Sequence, residues 1–160
     1  MIAVIALGSN QGDRLTFLKS GFNELKNLKN TSVLRASKIY QTAPEGGVAE
    51  QAFLNAVVEV ATEYSAIDLL RNLQEIEKNN QRVRTIKWAD RTLDLDLIDY
   101  AGEEIETVEL TLPHPLAHER GFVLLPWLEI NPKALLPRKG LVKDIVKSKE
   151  FLELEFYAEF

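Results

Sequence analysis

Thr92-Leu93-Asp94-Leu95-Asp96-Leu97 alternates polar and apolar residues with a period of two. That periodicity predicts a strand with one face in a core and one face exposed. Leu93, Leu95 and Leu97 point one way, and Thr92, Asp94 and Asp96 the other. Carboxylates two residues apart on a strand project in parallel, roughly 6–7 Å apart at the backbone. Such a pair repels itself unless a cation, a proton or water offsets it. A hard divalent cation suits it, because Mg2+ takes oxygen ligands and is held by one or two carboxylates plus substrate phosphates. An ordinary strand with its acidic face in water is the alternative reading.

What precedes the acids narrows the choice. Gln81 to Arg91 carries Arg82, Arg84, Lys87 and Arg91 against one acid, Asp90, in a chain of net charge −5. A cationic run leading directly into a carboxylate pair points to a polyphosphate held by metal and guanidinium groups together. Gly8 to Arg14 has two glycines but not the lysine and Ser/Thr of a Walker-type phosphate loop. Side chains must therefore supply the phosphate contacts, and Arg82, Arg84, Arg91 and Arg120 are the candidate donors. Residues 81–90, with the Gly46-Gly47 loop, are expected to order only when substrates supply the missing counter-charge.

Working outward, residues 1–7 form an apolar run that suits a central strand buried on both faces, and Gly8 to Asp13 reads as a turn. Asp13 caps a helix with Leu15, Leu18, Phe22, Leu25 and Leu28 on its buried stripe. Val33 to Tyr40 and Phe53 to Thr62 read as strands, joined by a loop from Gln41 to Ala52. In the second of these strands Leu54, Ala56, Val58 and Val60 share one face, and Asn55 lies on the other. Ser65 begins a second helix, with Leu69, Leu70, Leu73 and Ile76 buried. The order is an α+β, ferredoxin-like βαββαβ core, in which helices cover one face of an antiparallel sheet. An added hairpin follows, turning at Tyr100 to Glu103 into a strand at Ile105 to Leu110. C-terminal helices complete the chain, one over Ala117 to Leu128 with Phe122, Leu125 and Leu128 inward, another from Leu141. The 160 residues read as a single domain, with no internal repeat or linker.

Composition sets the outer bounds. Without cysteine there is no disulfide framework, thiol nucleophile or cysteine-ligated metal, and a reducing cytoplasm is permitted. The apolar N-terminus is short and lacks a basic n-region, so a signal peptide and a membrane partner are not expected. With pI near 5.2, a nucleic acid is a poor candidate partner. His114 and His118 stand at i and i+4, but Pro115 between them disfavours a shared helix face and hence a zinc site. Trp88, Phe53 and Phe122 suit core or rim positions, while Asn55 and Glu77 could read the hydrogen-bonding edges of a heterocycle.

Several pieces together resemble one family. Arg91 to Ile98 resembles the signature of 6-hydroxymethyl-7,8-dihydropterin pyrophosphokinases. Ala6-Leu7-Gly8-Ser9-Asn10, Tyr40-Gln41-Thr42, Phe53-Leu54-Asn55-Ala56, Gln81-Arg82-Val83-Arg84, Leu112-Pro113-His114-Pro115 and His118-Glu119-Arg120-Gly121-Phe122 follow in compatible order over residues 1–132. The resemblance implies pyrophosphoryl transfer from ATP to the pterin hydroxymethyl oxygen, releasing AMP; the enzyme is expected to be cytoplasmic and a monomer. It further implies two Mg2+ ions on Asp94 and Asp96, with Arg82 and Arg91 as catalytic cations. ATP contacts would come from Gln74, Arg82, Arg84, Arg91, His114 and Arg120. A pterin pocket would be formed by Thr42, Pro44, Glu45, Phe53, Asn55, Glu77, Trp88 and Phe122. Asp90, where the family usually has Pro or a small residue, and Leu116, where many members carry Arg, depart from the pattern. Two other classes use the same residues: a metal-dependent phosphohydrolase, which needs no pterin acceptor, and a ligand-binding sensor, which has no turnover.

Overall fold

The computed structural model describes residues 1–43, 51–81 and 91–160. Pro44, Glu45, Gly46, Gly47, Arg82, Arg84, Lys87, Trp88 and Asp90 lie outside the described residues, as does the expectation that their two segments order on binding.

The apolar run at the start becomes β1 (Ile2–Ser9), a strand that runs two residues further than the sequence predicts. Gly8 and Ser9 continue the ladder because partners wait on both sides: Gly8 pairs with Asn55 and with Asp94. α1 (Arg14–Asn27) follows, capped by Asp13, whose carboxylate accepts from the Thr16 amide at 3.1 Å. The expected strand from Val33 to Tyr40 is broken into β2 (Thr31–Ala36) and β3 (Ile39–Thr42). Ser37 marks the break. Its amide donates to Val57 O at 2.9 Å, while its own hydroxyl, in place of a backbone carbonyl, accepts from the Val57 amide at 2.9 Å. A side chain thus closes the ladder where the register slips.

β4 (Phe53–Thr62) runs antiparallel to β1, with β2 and β3 sharing its other edge. α2 (Ala66–Asn79) is capped by the Ser65 hydroxyl, and β5 (Asp94–Tyr100) then pairs antiparallel with β1. The fold is α+β. Leu93, Leu95 and Leu97 join Ile5, Leu7, Leu54, Ala56 and Val58 in a core under α1 and α2. At Gly21 the helix comes so near the sheet that an added Cβ would stand 2.6 Å from Leu93 Cδ2.

The second face of the sheet is covered too, contrary to the one-sided expectation. Val4, Ala6, Val57 and Ile98 are apolar on that side and carry a second core. A bulge makes room for it: Ile5 pairs with Leu97 and Val4 with Asp99, leaving Ile98 as the extra residue. Its lid is α3 (Gly121–Ile130), preceded by a short 3-10 helix at Ala117–Glu119, and α4 (Val142–Ser148). Gly121, Val123, Leu124, Pro126 and Trp127 are the buried residues of α3, and Phe122, Leu125 and Leu128 are only partly covered.

The turn at Tyr100 to Glu103 forms as predicted, with Ala101 and Gly102 both at positive φ (52° and 71°). The strand beyond it is shorter than expected. β6 (Ile105–Glu106) folds back at Thr107 to Leu110 and pairs with β7 (Thr111–Leu112) instead of extending to Leu110. A second small ribbon joins β8 (Leu135–Leu136) to β9 (Gly140–Leu141). The chain ends in an element the sequence reading missed: β10 (Glu155–Ala158) pairs with β3 and forms the edge of the six-stranded sheet.

Candidate active site

The second face of the sheet is open at one end. In the central strand, Val4 gives way to Ala6 and Gly8, and the covering helices no longer have bulk to pack against. Asn55 flanks Gly8 from β4, and Asp94 and Asp96 flank Gly8 and Ala6 from β5. A Cβ on Gly8 would stand 3.5 Å from Asn55 Oδ1 and 3.9 Å from Asp94 Cβ, so a side chain there would occupy the floor. Thr42, Phe53, Asn55, Arg91, Asp94, Asp96, Arg120 and Phe122 all line this one cavity. Among the described sequence-predicted site residues, the structure brings these together, with His114 beside Asp96.

Each acid meets a guanidinium. Arg91 Nη1 donates to Asp94 Oδ2, and Arg120 Nη1 donates to Asp96 Oδ2 at 3.2 Å. Arg120 stands at the start of α3, 5.6 Å from the Phe122 ring centroid, so the ring backs its cation. His114 Nε2 lies 4.0 Å from Asp96 Oδ2. The His114 amide is tied to Ile98 O at 2.9 Å, which fixes the residue beside β5. Its Nδ1 accepts from the Leu116 amide at 3.2 Å, so the neutral ring carries its proton on Nε2, facing the acid. Burial first, then the nearby Arg120 charge, push its pKa down to about 4. His114 is therefore a neutral hydrogen-bond donor at physiological pH. His118 sits in the 3-10 turn with Nε2 3.4 Å from Glu119, and the two histidines share no helix face.

Asn55 is buried and donates its amide to Thr42 Oγ1 at 2.8 Å. That bond holds the polar edges of β3 and β4 at the cavity wall. Glu77 is placed differently from the sequence picture. It is buried on α2 and accepts from the Leu95 amide at 2.8 Å, an outward N–H of the edge strand that no β1 partner reaches. Glu77 thus anchors β5 between the two acids. Gln74 is half-buried on the same helix, and neither it nor Glu77 lines the cavity among the described residues.

Sequence reasoning missed Asn10. It is fully buried, its Oδ1 accepts from the Arg91 amide at 2.6 Å, and its own amide donates to Arg91 O at 3.0 Å. Its Nδ2 reaches Gln51 O at 3.4 Å. The residue that looked like turn chemistry is a clamp on the backbone of a site arginine. Only its position inside Gly8-Ser9-Asn10 marked it, because its partner lies 81 residues away.

The donor set bears on a cation. Among the described residues no group of three or more His, Asp or Glu side chains converges on one point. Two carboxylates alone suit a Mg2+ that draws its other ligands from phosphate oxygens and water, and do not suit an all-protein cage. Arginines already beside both acids provide the complementary phosphate donors.

Comparison with known proteins places the chain among relatives. A family profile described as 7,8-dihydro-6-hydroxymethylpterin-pyrophosphokinase (HPPK) matches residues 4–132. The 2-amino-4-hydroxy-6-hydroxymethyldihydropteridine pyrophosphokinase of Haemophilus influenzae is 38% identical over 145 residues, covering 91% of each chain. The Bacillus subtilis protein of the same name is 43% identical over 129 residues, covering 81% of this chain and 77% of its own. An HPPK-DHPS crystal structure in complex with substrates superposes with TM-score 0.69 at 15% identity, covering 92% of this chain and 43% of that one. Wild-type Plasmodium falciparum HPPK-DHPS with pteroate gives TM-score 0.70 at 14% identity, covering 92% and 42%. The chain thus spans less than half the length of those solved chains, and at such identity they show a shared fold.

Proposed function

The chain belongs to the 7,8-dihydro-6-hydroxymethylpterin-pyrophosphokinase family, and on that premise we propose that the open end of its sheet is where ATP and a pterin meet. The enzyme transfers pyrophosphate from ATP to 6-hydroxymethyl-7,8-dihydropterin, giving AMP and the pterin diphosphate, a step of folate biosynthesis. The observation that supports the site assignment is the arrangement around Ala6 and Gly8. Asn55 stands on one side of the floor, and two arginine-paired aspartates stand on the other.

We assign the residues as follows. Asp94 and Asp96 hold Mg2+, and we place two ions there. Bound Mg2+ would neutralise phosphate charge and orient the oxygens for in-line displacement. Arg91 and Arg120 exchange their acids for phosphate oxygens, so charge built up on the transferred group finds donors already in place. His114, neutral with its proton on Nε2, donates a hydrogen bond and adds no charge. Asn55 and Thr42 read the pterin edge, while Phe53 and Phe122 supply apolar walls. Pro44, Glu45, Glu77 and Trp88 complete our pterin set, and Gln74, Arg82 and Arg84 our ATP set, with Arg82 and Arg91 as the catalytic cations. Such transfer depends mainly on positioning and charge stabilisation, so no strong general base is required.

The strand order β5, β1, β4, with β2 and β3 on the outer edge of β4, supports a ferredoxin-like core. We read residues 1–160 as one domain and the enzyme as a cytoplasmic monomer, cytoplasmic because it draws on ATP. No helix among the described residues is long and apolar enough to cross a membrane. Incubation with Mg-ATP, with and without 6-hydroxymethyl-7,8-dihydropterin, tests the reading. Pterin-dependent AMP is expected, and ADP with phosphate would overturn it.

A further inference from the structure

Arg14 is an odd residue to find where it is. It opens α1, so its charge sits at the positive end of the helix dipole, where an acid would be favoured. Its guanidinium is used elsewhere. Nη1 donates to the Ala52 carbonyl at 2.7 Å and to Gln41 Oε1 at 3.3 Å. That one nitrogen thereby grips β3 near its end and the residue just before β4. Gln41 adjoins Thr42, and Ala52 adjoins Phe53, both of which line the cavity. Thr42 pairs with Phe53 across the strands and accepts from Asn55. On its outer side the guanidinium lies 5.7 Å from the Tyr157 ring of β10, and β10 pairs Glu155 with Gln41. Helix start, β3, β4 and the C-terminal strand thus meet at one side chain.

We propose that Arg14 is a positioning residue for the acceptor substrate: it fixes the spacing of the Thr42–Phe53 wall against which the heterocycle packs, and touches no substrate itself. This rests on the assignment of that wall to the pterin. Of the described residues assigned to ATP and its metal, Gln74, Arg91, Asp94, Asp96, His114 and Arg120, none is an Arg14 partner. The effect is therefore selective for one substrate. A lysine ammonium could also donate to both acceptors, but it lacks the rigid plane that aims the Arg14 nitrogen at them and lies against the Tyr157 ring.

Steady-state kinetics with each substrate varied in turn, together with thermal midpoints, provide the test on Arg14→Ala, Arg14→Lys and Asn55→Ala. With both Arg14 bonds lost and the wall loosened, Arg14→Ala should raise KM for the pterin about tenfold. KM for ATP and kcat should stay within about twofold, and Arg14→Lys should recover part of the loss. An unchanged pterin KM in both Arg14 variants, or an equal rise in both KM values, overturns the proposal. Asn55→Ala separates the two layers. If it weakens the pterin and the Arg14 variants do not, the brace alone is wrong. If none of the three affects the pterin, the pocket assignment is wrong. Should Arg14→Ala fail to fold, the pterin-to-ATP ratio of KM values in Arg14→Lys decides the matter.

Discussion

Asp96 and Asp99 lie three residues apart on β5 and on the same side of the sheet, yet their charges are handled in opposite ways. Asp96 is partly open, with Arg120 at 3.2 Å and His114 at 4.0 Å. Asp99 is buried, its carboxyl is met by backbone amides, Gly102 at 3.1 Å to Oδ2, and no described side chain bonds to it. Small residues in β1 open the sheet beside the first, whereas the second core closes over the other. Where a carboxylate stays reachable and an arginine stands ready to let it go, the strand has a site. Where a carboxylate is closed in with backbone amides alone, the strand carries a cost.

The largest expected effect strikes the reachable end. Asp94→Ala and Asp96→Ala should each lower turnover by several kcal/mol of transition-state stabilisation, on the order of a thousandfold or more. The fold should survive, because both side chains are partly solvent-exposed. Turnover and circular dichroism on the two variants and their double check this. A folded double variant with ordinary turnover would erase the distinction drawn between the two ends of β5.

On the opposite face the same strand should behave as core. Leu95 is buried under α1 and α2, so Leu95→Ala should cost about 2–5 kcal/mol of stability. Denaturant midpoints measure it, and a loss of activity without loss of stability would contradict the assignment of faces. Asn55→Ala sharpens the comparison from across the floor. It should weaken the pterin by about 1–3 kcal/mol and ATP little, by calorimetry with each ligand separately. Equal losses would mean that β4 itself has shifted.

Legibility in the sequence followed the range of the interaction. The alternation from Thr92 to Leu97, the Asp13 and Ser65 caps and the Leu69, Leu70, Leu73, Ile76 stripe are local patterns, and they formed nearly as read, with the strand starting at Asp94 and Leu70 only partly buried. The break at Ser37 was not readable, because it depends on Val57, 20 residues away. Neither was β10, whose four residues form a strand only because β3 offers an edge. At the site, charge and adjacency exposed Arg91, Asp94, Asp96 and Arg120. Asn10 and Arg14 stayed hidden, since their partners are backbone groups of distant residues. The role of Glu77 as the anchor of the Leu95 amide was hidden for the same reason.

The smallest expected effect belongs to Asp99, and it has the opposite sign. Glu59 flanks Val4 from the other side of the sheet and is equally buried, but it is met by Trp127, Asn131 and Arg35. Among the described residues Asp99 has no such side-chain company, only backbone amides. Desolvation raises its pKa above the ordinary 3.8, and the Glu59 charge adds to the rise against the lowering effect of the Gly102 and Tyr100 backbone bonds. A carboxyl with a raised pKa in the folded state holds its proton more tightly there than in the unfolded chain. Stability is then greatest below 3.8 and falls as pH rises through the folded-state value. Asp99→Asn removes the charge while keeping a carbonyl oxygen for the Gly102 amide. The variant should therefore be more stable than the parent at neutral pH, by on the order of 1 kcal/mol, or a few degrees in Tm. The gain should shrink as pH falls and vanish below 3.8, where the parent is protonated as well. Thermal unfolding of both proteins between pH 3 and pH 8 decides it. A destabilised variant at neutral pH would show that Asp99 has a compensating partner and belongs with Asp96 after all.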